Sequence, residues 1–94
     1  MQVKYLRSYI SSLKAFKRDK SLLVKIKETE NIFIEDHQNK RLHYKKITCK
    51  HDKNRYSIRV INTQYRILFS KHEDTVEFKC VCKHDEYQIH NKNC

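Results

Sequence analysis

The strongest constraint on this chain is a change in its hydrophobic period near residue 41. Before that point Tyr9, Ile10, Leu13 and Phe16 fall at i, i+1, i+4 and i+7, one face of a helix. The spacing predicts a helix over residues 8–19, with Ser8 as its candidate cap. Leu22, Leu23, Ile26, Thr29 and Phe33 carry a second helical stripe from Ser21, another cap candidate, to about Glu35. Asp19-Lys20 between them is long enough only for a corner, so the two helices form an antiparallel hairpin.

After residue 41 the period becomes two. Tyr56, Ile58 and Val60 alternate with Ser57, Arg59 and Ile61, and Tyr65, Ile67 and Phe69 alternate with Arg66, Leu68 and Ser70. Val76, Phe78, Cys80 and Cys82 then alternate with Glu77, Lys79, Val81 and Lys83. Residues 42–49 read as a weaker strand, and Val3–Leu6 as a further one. Short connections at 52–55, 62–64 and 71–75 make neighbouring strands antiparallel. Helices first and strands after predict an α+β fold, with a helical hairpin on one face of a mostly antiparallel sheet of four to five strands. The 94 residues fit one domain spanning 1–94, ending in a short polar tail at 88–94.

Glycine and proline are both absent. Any turn that needs a positive φ must then rely on Asn or Asp, and Asn39, Asp52-Lys53-Asn54, Asn62 and Glu73-Asp74 mark the expected breaks. Of the four cysteines, Cys80 and Cys82 sit two apart on a strand and are expected to point together into the core as thiols. Cys80-Val-Cys82 does not have the spacing of a zinc site, and no metal or cofactor is expected. No apolar run approaches the length of a membrane span and no secretion signal precedes the first helix, so the expected location is the cytoplasm, away from any membrane.

Charge supplies the functional signal. Twenty-one Lys and Arg against eleven Asp and Glu give a formal charge of +10, which points to a polyanionic partner. Eight of the cations lie between His37 and Arg59 against one acid, Asp52. Lys45, Lys46, Lys50, His51 and Arg55 are the expected RNA-binding residues of this stretch, and Tyr44 and Tyr56, with His43 and His51, offer rings for stacking on unpaired bases. If Tyr56, Ile58, Val60, Tyr65, Ile67 and Phe69 face the helices, the other face carries Ser57, Arg59, Arg66, Ser70, Lys79 and Lys83. That face is expected to be uncovered, with Arg59 and Arg66 close together, a costly pairing unless an anion neutralises it.

Two motifs sharpen the reading. The run Arg55-Tyr-Ser-Ile-Arg-Val-Ile-Asn-Thr-Gln-Tyr-Arg-Ile-Leu-Phe69, followed by Cys82-Lys-His-Asp-Glu-Tyr87, resembles the signature of the RelE/ParE superfamily of bacterial toxins from toxin–antitoxin pairs. Leu42-His-Tyr-Lys-Lys-Ile47 is similar to the strand that follows the family's helical hairpin, so the likeness covers nearly the whole chain. It implies the RelE-like microbial ribonuclease fold. For the RelE-like branch it implies cleavage of messenger RNA in the ribosomal decoding site by metal-free attack of the ribose 2′-OH on the adjacent phosphate. Arg59 and Arg66 match the family's two sheet arginines, and their guanidinium forks suit a phosphate in the transition state. His84 and Tyr87 match the residues that close the family's site, His84 as general acid and Tyr87 to stack on a base or assist proton transfer.

The likeness has gaps. Ser57 stands where some RelE-like toxins place a lysine, and the base is left open among Lys46, Lys50 and His51. Asp85 and Glu86 are expected to orient His84 or to face solvent. The implied partners are an acidic antitoxin, messenger RNA on the ribosome with contacts to ribosomal RNA, and operator DNA only through the antitoxin complex. Two alternatives stand beside the nuclease: a non-enzymatic ParE-like inhibitor of DNA gyrase, and an inactive homologue that binds only its antitoxin.

Overall fold

The computed structural model describes residues 1–47 and 52–83. In chain order these form β1 (Gln2–Tyr5), α1 (Arg7–Ala15), α2 (Lys20–Glu35), a 3-10 turn (Lys40–Leu42), β2 (Lys45–Lys46), β3 (Arg55–Arg59), β4 (Tyr65–His72) and β5 (Thr75–Lys83). The sheet order is β1-β5-β4-β3-β2, antiparallel throughout except for β1 beside β5. The expected α+β arrangement, a helical hairpin on one face of a mostly antiparallel sheet, is the one observed. Among the described residues no helix is long and apolar enough to cross a membrane.

Both cap expectations shift by a residue or two. Leu6 precedes α1 and its side chain caps nothing, whereas the Asp19 carboxylate accepts from the Leu22 amide (3.0 Å) and caps α2 in place of Ser21. The first helix stops at Ala15, because residues 16–19 are needed for the reversal that lets α2 run back along the sheet. Of the expected strand at 42–49, Lys45–Lys46 is a strand among the described residues, and residues 48 and 49 lie outside them. Its beginning is a 3-10 turn instead: Asn39 Oδ1 accepts from the Arg41 amide (2.9 Å), and Leu42 is wholly buried.

The core lies between the hairpin and the sheet. Tyr9, Leu22, Ile26 and Phe33 from the helices meet Ile58, Val60, Ile67, Phe69, Val76, Phe78 and Val81. Phe33 packs edge-on against Phe69 (5.1 Å between ring centres) and tilted against Phe78 (5.5 Å). One acid enters this layer: Glu30, 5% exposed, accepts from the Tyr9 hydroxyl at 2.5 Å, and Lys27 lies 3.7 Å away. Burial, followed by the bond to and charge of Glu30, pushes the Tyr9 phenol far above its ordinary range, so it stays a donor.

The alternation expected along β5 breaks at a bulge. Leu68 lies opposite Cys80 and Phe69 opposite Phe78, which leaves Lys79 without a partner residue on β4. One turn of α1 bonds to the backbone there: Ser8 Oγ donates to the Lys79 carbonyl (2.6 Å), and Ser12 Oγ accepts from the Val81 amide (3.1 Å). Ser8 is therefore a tether rather than a cap. Beyond the bulge the faces exchange. Val81 enters the core, while Cys80 and Cys82 join the opposite face, in a small cluster with Ile47 and Leu68. Lys83 pairs with Tyr65, whose ring packs on Phe16, so Lys83 belongs to the helix side and not with the arginines.

The positive-φ residues are His43 (48°), Asn62 (57°) and Glu73 (52°) among those described. Only one of the three is the Asn or Asp that a glycine-free chain was expected to use. Each left-handed non-glycine residue costs on the order of 1 kcal/mol, which the surrounding contacts must offset. Because Ser12 Oγ accepts from the Val81 amide, Ser12→Ala is expected to lower stability by about 1–3 kcal/mol in urea unfolding. Exposed Ser11→Ala should stay within about 0.5 kcal/mol of wild type. Equal midpoints for the two variants would mean that the tether contributes nothing.

Candidate nucleic-acid interface and active site

β3 and β4 place Arg59 directly opposite Arg66. The two guanidinium groups take different paths. Arg66 is 4% exposed: its Nε and Nη2 donate to Ser57 Oγ (3.1 and 2.9 Å), and Nη2 also donates to the His43 carbonyl (3.1 Å). Arg59 stays half-buried and lines a cleft of about 450 Å³ at the end of the sheet, with Arg41, His43, Ile61, Asn62, Thr63 and Gln64. Among the described residues, the side chains of Arg41, His43 and Arg59 make no hydrogen bond or ion pair. Three groups able to donate to an anion thus meet around one space while Arg66 braces its wall.

The turns at the two ends of this wall are tied down. The Thr63 hydroxyl donates to the Val60 carbonyl (2.8 Å) and accepts from the Tyr65 amide (3.0 Å), closing the β3–β4 turn. The Ile61 amide donates to Thr29 Oγ1 (3.1 Å), which anchors the turn to α2. On the other side, the left-handed His43 ends the 3-10 turn, its amide donating to the Lys40 carbonyl (3.3 Å).

The arginine face is not the bare surface expected. Ser57, Leu68 and Ser70 are fully buried, and Ile47 packs over Leu68 and Cys82. Arg55, 6% exposed, is held by Asp52 (Nε to Oδ2, 3.4 Å). The same Asp52 oxygen accepts a very short hydrogen bond from Ser70, and Oδ1 accepts from the Asn54 amide (2.9 Å). Burial raises the Asp52 carboxyl, but the Ser70 and Asn54 bonds and the Arg55 charge outweigh it, leaving it below the usual carboxylate range. Next to this group, the Cys82 thiol's hydrogen bond lowers the Cys80 thiol; burial opposes, and Arg55 and Lys79 assist.

The basic residues named from the sequence are therefore divided. Lys45 pairs with Ser57 and lies on the arginine face, whereas Lys46 pairs with Tyr56 and sits over its ring, 5.4 Å from the centre. Lys46 is on the helix side and away from Arg59 and Arg66. Tyr44 and Tyr56 also pack there, 5.2 Å apart and against Phe69, so these rings belong to the core edge rather than to the arginine face. Lys79 is the unpaired residue of the bulge. Lys50, His51, His84 and Tyr87 lie outside the described residues, as do Cys49, Cys94, Asp85 and Glu86.

From the sequence, His43 was named only as a ring for stacking on bases and Arg41 only counted within the basic stretch; neither was placed beside Arg59. Both flank Leu42 where the helical period ends, but charge counting gave no reason to set them at the sheet arginines. A second cleft of about 450 Å³ lies between α1, α2 and β1, lined by Tyr5, Tyr9, Ile10, Leu13, Leu23, Ile26, Lys27 and Glu30. It is mostly apolar and has a carboxylate at its floor, which suits a phosphate poorly.

The domain matches a family model in sequence and solved structures in shape. A family model described as a ParE-like toxin domain matches residues 25–89. No curated protein matches the chain in sequence. In fold, the chain is similar to YafQ from E. coli strain BL21(DE3), with 9% identity, a TM-score of 0.73, and 92% of this chain and 96% of YafQ covered. It is also similar to a chain of the RelB–RelE antitoxin–toxin complex from Methanococcus jannaschii, at 24% identity and a TM-score of 0.68, covering 93% and 96%. The YoeB dimer from Staphylococcus aureus shares 19% identity with a TM-score of 0.62, covering 88% and 94%.

The Asp52 cluster yields a prediction with a defined sign. Because the folded carboxyl lies below its unfolded value, its contribution is fully present above about pH 4 and is lost as pH falls through the lower folded value. Asp52→Asn should cost about 1–3 kcal/mol at neutral pH by urea unfolding, and the gap to wild type should close in acid. A gap that is constant from neutral pH into strong acid would show that the carboxylate charge is not what holds Arg55.

Proposed function

The chain belongs to the ParE-like toxin domain family and is a toxin of the RelE/ParE superfamily, and we propose that it cuts messenger RNA on the ribosome. The observation that carries this reading is the convergence of Arg41, His43 and Arg59 in one cleft whose wall Arg66 braces. Cleavage by an internal 2′-OH needs little from a protein beyond placement, donors for the charge on phosphorus, and groups to move two protons. Arg59 supplies the fork that faces the phosphate oxygens. Arg66 acts by holding the strand register and the His43 carbonyl, so it is a positioning residue. Lys45 extends the basic surface along the RNA backbone. His84 as general acid and Tyr87 as a stacking residue complete the site; their support is the His84-Asp-Glu-Tyr87 resemblance.

The partner that restrains the enzyme is an acidic antitoxin, a segment of which folds over the basic cleft in competition with RNA. Toxins similar in fold include members solved as DinJ–YafQ, RelB–RelE and YoeB–YefM complexes, and a formal charge of +10 favours such a partner. Operator DNA is reached only through that complex. The setting is the cytoplasm, where ribosomes are engaged with message.

Induced expression is expected to stop translation and to leave transcripts cut within codons, mapped by primer extension. Arg59→Ala should slow cutting by about 10²–10³-fold, the usual effect of removing one donor to a developing oxyanion, with the urea midpoint unchanged. Intact transcripts together with disturbed DNA supercoiling would instead assign the chain to the gyrase-inhibiting branch. Intact transcripts and intact supercoiling, with antitoxin binding retained, would make it a binding module alone.

A further inference from the structure

We infer that the His43 imidazole is the group that takes the proton from the attacking 2′-OH. This inference rests on the ribonuclease reading above and adds the residue that reading lacks. Ser57, at the lysine position of some relatives, cannot act: it is fully buried and its hydroxyl oxygen already accepts twice from Arg66. Lys46 sits over Tyr56 on the opposite face. His43 is exposed and lines the cleft with Arg59 and Arg41.

Three features argue that the position is built rather than incidental. The backbone is left-handed, with φ 48° and ψ 51°, a conformation that costs free energy in any residue with a β-carbon. The amide is bonded to the Lys40 carbonyl, and the carbonyl to the Arg66 guanidinium. The imidazole is thereby registered against the β3–β4 arginine pair through a buried network, although His43 itself belongs to a surface turn. Its ring has no hydrogen-bond partner among the described residues, and imidazole both takes and gives protons near neutrality. Beside it, Arg59 and Arg41 are placed to neutralise the charge that builds on phosphorus.

The step balances as follows. The imidazole takes the 2′-OH proton as the 2′-oxygen bonds to phosphorus. The bond from phosphorus to the 5′-oxygen breaks, and that oxygen receives a proton from the general acid of the ribonuclease reading. The imidazolium then gives its proton to solvent and the acid regains one from solvent, and the products are a 2′,3′-cyclic phosphate and a 5′-hydroxyl.

The test uses the full chain and a synthetic messenger of mixed sequence programmed on ribosomes. It compares wild type with His43→Gly, which accepts the left-handed backbone without strain, and with His43→Gln. Both variants should keep the wild-type urea midpoint and ribosome binding by pelleting while cutting about 10²–10⁴-fold more slowly. Added imidazole should restore cutting in the Gly variant, where the cleft has room for it, and not in the Gln variant. Wild-type rates in either variant overturn the assignment, as do binding that falls in step with cutting and a Gly variant that imidazole does not rescue. A wild-type protein that cuts no RNA removes the ribonuclease reading and this inference with it; a cutting wild type beside an equally fast His43→Gly removes only this inference.

Discussion

The bulge in β5, held by two serines of α1, decides what each face of the sheet contains. A single unpaired residue, Lys79, reverses the alternation so that Val81 closes the core and Cys80 and Cys82 turn away from it. Without the extra residue, Val81 would face the polar side and the thiols would displace apolar volume beneath α1. The Ser8 and Ser12 bonds fix α1 against this irregular stretch, one at the Lys79 carbonyl and one at the Val81 amide. Helix placement and strand register are thus one constraint. The β4–β5 register beyond the bulge sets Cys82 opposite Arg66.

The arginine face shows how a small basic domain can bury cations and still present some. Arg55 and Arg66 are both nearly inaccessible, and each is met by a specific set of oxygens: Asp52 for the first, Ser57 and the His43 carbonyl for the second. Burying an unpaired guanidinium would cost several kcal/mol, so these acceptors are a condition of the fold. Their presence leaves Arg59, Arg41 and Lys45 to carry the charge outward. Two arginines directly opposite on adjacent strands are tolerated because one turns into the network and the other into the cleft.

Elements with long, regular periods were legible in the sequence. Leu22, Ile26, Thr29 and Phe33 announced α2, and the alternating runs around Ile58 and Ile67 announced β3 and β4 with their pairing. The β5 faces were misread beyond Phe78, since a bulge leaves no mark in a pattern of alternating residues. The turn before β2 was misread as strand because Leu42 and Tyr44 alternate like a strand, while the deciding interaction is Asn39 capping the turn. At the site, Arg59 and Arg66 followed from register alone. Arg41 and His43 did not, because what sets them beside Arg59 is a left-handed backbone and a carbonyl bonded to a residue 23 positions away.

The parallel pairing of β1 with β5 joins Gln2 to Thr75 and Tyr5 to Phe78. During synthesis the first strand leaves the ribosome long before β5, with which it pairs, and α1 waits with it for the bulge its serines bond. Local order in the helical hairpin comes early, but the closing contacts span most of the chain and impose a slow, late step. The cleft wall depends on β4 held between β3 and β5. A nascent chain therefore cannot assemble the wall of the cleft until nearly all of it has emerged.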